Sequence, residues 1–176
     1  MSQPSQPPQP SQPLAPSQTP DCSATLRVDS QLADGVRVVA TLRNEGPAPL
    51  HVLQSERMPY VLVEEPDQIV LAWSIQPVPA NLDPGLIQMP DTVEVPAGTE
   101  VRREASLRRP LQVSTHLFSP HLYPGPLPET VKVVAEFGLV PQAVDPKQRH
   151  HQNYSALIAS QRTCRTAAVT VSLGKP

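Results

Sequence analysis

Aromatic side chains are scarce: three Tyr, two Phe and one Trp in 176 residues. So few flat π surfaces leave little for stacking nucleobases or sugar rings. Cysteine is limited to Cys22 and Cys164, whose separation matches neither a zinc ligand set nor a redox CxxC. Neither sign of charge is in excess, with Lys plus Arg at 14 against Asp plus Glu at 16, for a net −2. That balance excludes the basic footprint of a nucleic-acid binder. No apolar run approaches the roughly 18 residues of a membrane-spanning helix, so no span is expected. The chain opens without the basic and apolar regions of a signal peptide, which makes a cytoplasmic protein the default expectation. No GxSxG elbow, phosphate-cradling loop or metal-ligand spacing occurs, so no enzyme activity, cofactor or metal is expected.

Proline is the residue in surplus, with 24 copies against seven glycines. It disfavours long helices and suits short strands joined by rigid loops. Residues 1–20 are Pro, Gln or Ser at 16 positions and carry no charge. Such a segment buries too little apolar surface to offset the entropy of ordering it. Residues 1–21 are therefore expected to form a disordered, partly polyproline II tail, followed by one domain at 22–176. Pro7–Pro10 and Pro10–Pro13 have PxxP spacing, but no flanking arginine would orient such a ligand, and a solvated spacer or tether is the simpler expectation.

Beyond the tail the pattern changes to period two. Val36, Val38, Ala40 and Leu42 alternate with Arg37, Thr41 and Arg43. The same alternation runs through Val101, Ala105 and Leu107, through Val131, Val133, Ala135, Phe137 and Leu139, and through Ala167, Val169, Val171 and Leu173. One greasy face and one wet face per strand is the pattern of antiparallel sheets packed on a shared core. Shorter apolar runs at 24–28, 50–54, 60–64, 69–75 and 111–118 bring the expected total to eight or nine strands. Turn chemistry such as Asp34-Gly35 and Pro96-Ala97-Gly98 separates them. Long proline-rich connections favour a sandwich over a barrel of tight hairpins. Three long loops are expected, at 76–91, 119–129 and 141–163, and the third holds the one expected helix, over 153–162, capped by Asn153 or Ser155.

Several residues invite a chemical role. Cys22 precedes the first strand and Cys164 the last, so a sandwich that places these strands side by side would bring both thiols to one end. They are a candidate disulfide, which would imply an exported protein; two free thiols in the cytoplasm are the alternative. His116, His121, His150 and His151 could be drawn as a metal cluster, but surface histidines are the plainer expectation. Glu64, Glu65 and Asp67 surround Pro66 and suit a solvated turn better than a calcium loop. The Arg102-Arg103 and Arg108-Arg109 pairs could grip an anion, but a solvated sheet face is the plainer expectation: Arg102 and Arg108 fall on the wet face, whereas Arg103 falls on the apolar one and is expected near a strand end. Trp73 shares a face with Ile69 and Leu71 and is expected as a core anchor.

The runs TLRNEGPAPLHVL at 41–53 and VEVPAGTEVRREASLRRPL at 93–111 carry an Asn-containing turn and a V-x-x-G turn that launches a later strand. In these features the chain resembles small bacterial immunoglobulin-like β-sandwich proteins of unknown function. The resemblance implies an all-β, immunoglobulin-like antiparallel sandwich, here with one short helix before the last strand, and transfers no functional residue. The resulting expectation is a non-enzymatic protein-interaction or structural module whose partner is a protein. The alternative is a small-ligand or carbohydrate-binding domain that uses loops 76–91 and 119–129, with Tyr123 as the ligand contact.

Overall fold

The computed structural model describes residues 21–80, 89–145 and 151–174. Residues 1–20 of the expected tail, part of the 76–91 loop and His150 lie outside them; Asp21, expected to end the tail, is instead held by Arg162. The described chain is mostly β: β1 (Cys22–Leu32), β2 (Gly35–Asn44), β3 (Leu50–Gln54), β4 (Tyr60–Glu65), β5 (Gln68–Trp73), β6 (Asp91–Val95), β7 (Glu100–Arg108), β8 (Gln112–Val113), β9 (His121–Leu122), β10 (Thr130–Val140), helix α1 (His151–Ser160), β11 (Arg162–Arg165) and β12 (Val169–Ser172). No helix among the described residues is long and apolar enough to cross a membrane.

Two open sheets carry the core. The smaller is antiparallel, in the order β1-β2-β7; the larger runs β4-β5-β10-β3-β6, with β11 and β12 on the other edge of β10. The alternating segments set the faces. Val36, Val38, Ala40 and Leu42 on β2 and Leu107 on β7 are buried against Ile69, Leu71, Val133, Phe137 and Leu139 of the larger sheet. Arg37, Arg43, Lys132, Thr170 and Ser172 point to water. Trp73 stacks on Phe137 in this core, with ring centroids 5.5 Å apart and 15° between planes.

The larger sheet departs from the all-antiparallel, half-wet expectation. β5 pairs with β10 in parallel, from Lys132–Gln68 to Phe137–Trp73. Ile69 through Trp73 are all buried, as are both faces of much of β10. A parallel pair sits where both faces are covered, and a continuous apolar run is the sequence that tolerates this. Tyr60 covers Val70 and Ala72, and Tyr154 and Leu157 of α1 cover Leu53, Ile75, Met89 and Val140. The helix therefore forms a third layer rather than filling a loop, and two strands follow it, not one. It starts at His151, so Asn153 and Ser155 both lie within it and neither stands at its start.

Local expectations shift in three further places. The 111–118 run keeps only Gln112–Val113 as strand, paired with His121–Leu122 in a separate two-stranded ribbon. Arg103 lies mid-strand opposite Ala40 rather than near an end, and its Nη2 donates to Gln54 Oε1 at 3.0 Å. Burial lowers its pKa. The 76–91 loop ends where β6 begins, and the 141–163 loop contains α1 and the start of β11.

Asn44 ties the sheets at one end. It is 0 % exposed; its Nδ2 donates to Ala48 O at 2.8 Å and to Val95 O at 2.9 Å, and its Oδ1 accepts from Gly46 N at 2.9 Å. Its backbone closes the V-x-x-G turn, accepting from Gly98 N at 3.0 Å and donating to Thr99 O at 2.9 Å. Gly98 holds φ +74°, the left-handed conformation that glycine adopts at least cost. The two turns that carry the sequence resemblance are thus halves of one hydrogen-bonded joint.

Candidate functional site

The β1–β2 hairpin turns at Ala33-Asp34, and Gly35 then enters β2 hard against β7. A Cβ at Gly35 would fall 1.9 Å from the Leu107 carbonyl oxygen, so only glycine fits this approach. The close contact lets Arg109 N donate to Asp34 O at 2.8 Å, while Arg108 Nη1 reaches both Asp34 carboxylate oxygens, at 2.8 and 3.1 Å. The chain turns through Pro110 and pairs again at Tyr123 N to Leu111 O, 2.9 Å. Gly125 then passes over the Tyr123 ring, where a Cβ would meet ring atoms at 2.7 Å.

These segments enclose a groove of about 670 Å³. Its lining runs from the more buried Leu111, Tyr123 and Leu127, which we call the floor, to the exposed Pro110, Pro126 and Asp34, with Arg109 beside them. Tyr123 and Leu127 also pack on the main core, so the floor is anchored from beneath. Arg109 braces the far lip by donating through Nη2 to Leu127 O at 3.1 Å and to Pro128 O. Asp34 is engaged by Arg108 and Arg109 Nη2 by two carbonyls, whereas the buried Arg109 Nε has no partner among the described residues. A mainly apolar concave lining of this kind can receive an apolar group. Within the same stretch of chain, Phe118 is 48 % exposed and Leu122 58 %.

Tyr123 lines this concave surface, but its neighbours there differ from those anticipated. Loop 119–129 contributes, whereas the opposite side comes from 33–34 and 109–111. The described residues Val78 and Met89 of the other loop pack instead against Tyr154 and Leu157. Nothing in the sequence signalled this bracing role for Arg109, because it depends on carbonyls 18 and 19 residues away.

Cys22 and Cys164 are brought together. Both are half-buried free thiols packed against the main core. The two thiols lie close enough to perturb one another, next to the Asp21 carboxylate. Burial, followed by the neighbouring Cys22 thiol, pushes the Cys164 thiol up to about 12. Alongside, Arg162 Nη1 donates to Asp21 Oδ1 at 2.6 Å, and Nη2 bonds Oδ2. The Arg162 hydrogen bond holds the Asp21 carboxyl below its ordinary range.

His116 overturns the surface expectation. It is 7 % exposed and sits between Tyr60 (centroids 6.1 Å apart) and Tyr154 (5.3 Å). Neither ring nitrogen has a hydrogen-bond partner among the described residues, nor does the buried Tyr154 hydroxyl. Burial, with a smaller push from Arg57, lowers the imidazole to about 4. Residues 114–118 lack a strand's period, so nothing in their pattern signals this burial. His121 is exposed, and no three His, Cys, Asp or Glu side chains among the described residues form a metal-binding group. In the acidic turn, Glu64 pairs with Arg165, and Asp67 with Lys132 at 3.1 Å. No family model, curated protein or solved structure matches the chain, so the geometry alone carries the functional reading.

Proposed function

We propose that the chain is a non-enzymatic protein-interaction module on an immunoglobulin-like scaffold, which holds a short extended apolar segment of its partner in the Tyr123 groove. The supporting observation is a mainly apolar concave lining whose two charged residues are already held within the protein, Asp34 by Arg108 and Arg109 through Nη2 by two carbonyls. Binding there removes apolar surface from water without stranding a charge. The exposed Phe118 and Leu122 favour a protein over a small molecule, because a ligand confined to the groove leaves them in water whereas a partner's surface covers them. A single tyrosine and mostly apolar walls suit sugar rings poorly.

Selection of displayed peptides on the immobilised full-length chain tests the proposal. Enriched peptides should share apolar residues in an extended pattern, and should lose at least about tenfold in affinity, about 1.4 kcal/mol, on Tyr123→Ala or Pro126→Arg. Pro126 is exposed, so its replacement blocks the groove while leaving the core intact. Peptides that bind both variants as tightly as the parent would place recognition elsewhere. If no peptide is enriched while an apolar small molecule raises the melting temperature, the small-ligand alternative replaces this one.

A further inference from the structure

The two sheets are joined unevenly along their length. On one side the chain itself links them, running from β6 through the 96–99 turn into β7. On the other side β1 faces β11 and β12, with no covalent link between the sheets in the reduced protein. That seam is held by Gln31 Nε2 donating to Ser172 O at 3.0 Å and by the Arg162–Asp21 pair at the far end. The backbones of β1 and β11 come within 8 Å, Cα to Cα. Arg162 and Cys164 are two apart on β11 and so share a face, while Asp21 directly precedes Cys22. The ion pair therefore pins the start of β1 to β11 at the level of the two thiols.

We propose that Cys22 and Cys164 are a thiol pair built to close into an inter-sheet disulfide by exchange with a small-molecule disulfide such as oxidised glutathione. In the first step the Cys22 thiolate attacks one glutathione sulfur. The glutathione S–S bond breaks, a mixed disulfide forms on Cys22, and one glutathione thiolate leaves and takes up a proton. In the second step Cys164, deprotonated to solvent, attacks the Cys22 sulfur and expels the second glutathione. Two electrons pass from the cysteines to glutathione, and the two thiol protons end on two reduced glutathiones. Cys22 goes first because Cys164 holds its proton tightly, through burial and through the neighbouring Cys22 thiol. Capping Cys22 removes that thiol's influence and eases the second ionisation. The closed ring spans residues 22 to 164, a loop long enough for a large effect on the unfolded chain.

The folded full-length protein is equilibrated in oxidised and reduced glutathione mixtures, alkylated, and mapped by mass spectrometry without reduction. Both alkylatable thiols should vanish together, a cross-linked Cys22–Cys164 peptide should appear, and the melting temperature should rise by roughly 10 °C or more. Arg162→Gln loosens the clamp and should require several-fold more oxidised glutathione to reach half closure. Stable glutathione adducts without the cross-link would overturn the proposal. So would thiols that close only after unfolding, or a melting temperature that falls on oxidation. The wild-type chain alone decides these outcomes, independently of any partner in the groove.

Discussion

Replacing Asn44 with alanine should destabilise the protein by about 3 kcal/mol. The side chain makes three hydrogen bonds of 2.8–2.9 Å from a fully buried position, each worth about 1 kcal/mol net. Gly46 N and Ala48 O are partly accessible and can turn to water, but Val95 O is buried and stays unpaired, which keeps the cost from falling below the sum. For a chain of this length the loss lowers the melting temperature by roughly 6–12 °C. Urea and thermal unfolding followed by circular dichroism measure it, with the denaturant slope unchanged. Asn44→Asp sharpens the test. It keeps an acceptor for Gly46 N but sets a carboxylate against the Ala48 and Val95 carbonyl oxygens, so at neutral pH it should cost at least as much as alanine. An alanine variant within 1 kcal/mol of the parent, or a well-tolerated aspartate, would refute the view that this joint fastens the sheets.

The buried His116 should make the fold acid-sensitive. Its folded pKa, about 4, lies below the ordinary 6.5, so the unfolded chain takes up the proton first. Stability is full above pH 6.5 and declines by about 3 kcal/mol as pH falls towards 4, and His116→Phe should flatten that decline in urea titrations at stepped pH. The Arg165 bridge should matter more than the Arg162 bridge. Glu136 is 12 % exposed and bonded by Arg165 Nε at 2.8 Å and by Ser74, so Arg165→Met strands a largely buried carboxylate at a cost of about 2–3 kcal/mol. Arg162→Met breaks a solvent-exposed pair and should cost under about 1 kcal/mol.

The sheet residues were legible because burial writes a period into each strand. Val38, Leu107, Val133 and Val171 are all buried as the alternation requires, and the 50–54 strand is found at its expected limits. Where two faces are covered the period vanishes. The run from Ile69 to Trp73 announces a strand but gives neither its parallel partner nor the helix that roofs the sheet. β11 escaped notice because its four residues, RTCR, are polar or half-buried and owe their strand geometry to pairing with β10. Tyr123 was legible as a rare aromatic in a proline-rich loop, whereas its groove was not, since the facing wall comes from residues about 90 positions earlier and about 12 earlier.

The arrangement along β1 separates what steadies the molecule from what it offers to a partner. At the Cys22 end lie the Asn44 joint, the Asp21–Arg162 pair and the two thiols; at the Leu32 end lies the groove, roughly 33 Å away by strand rise. Contacts that far apart, with no shared partners, contribute independently to stability. A disulfide at Cys22 therefore stiffens the seam without reshaping the floor under Tyr123. The groove's prolines and its Arg109 brace keep that floor in place whether the seam is open or closed. A binding surface of this kind needs a rigid support more than a moving one, and a fold that gathers its fastenings at one end leaves the loops at the other free to carry recognition.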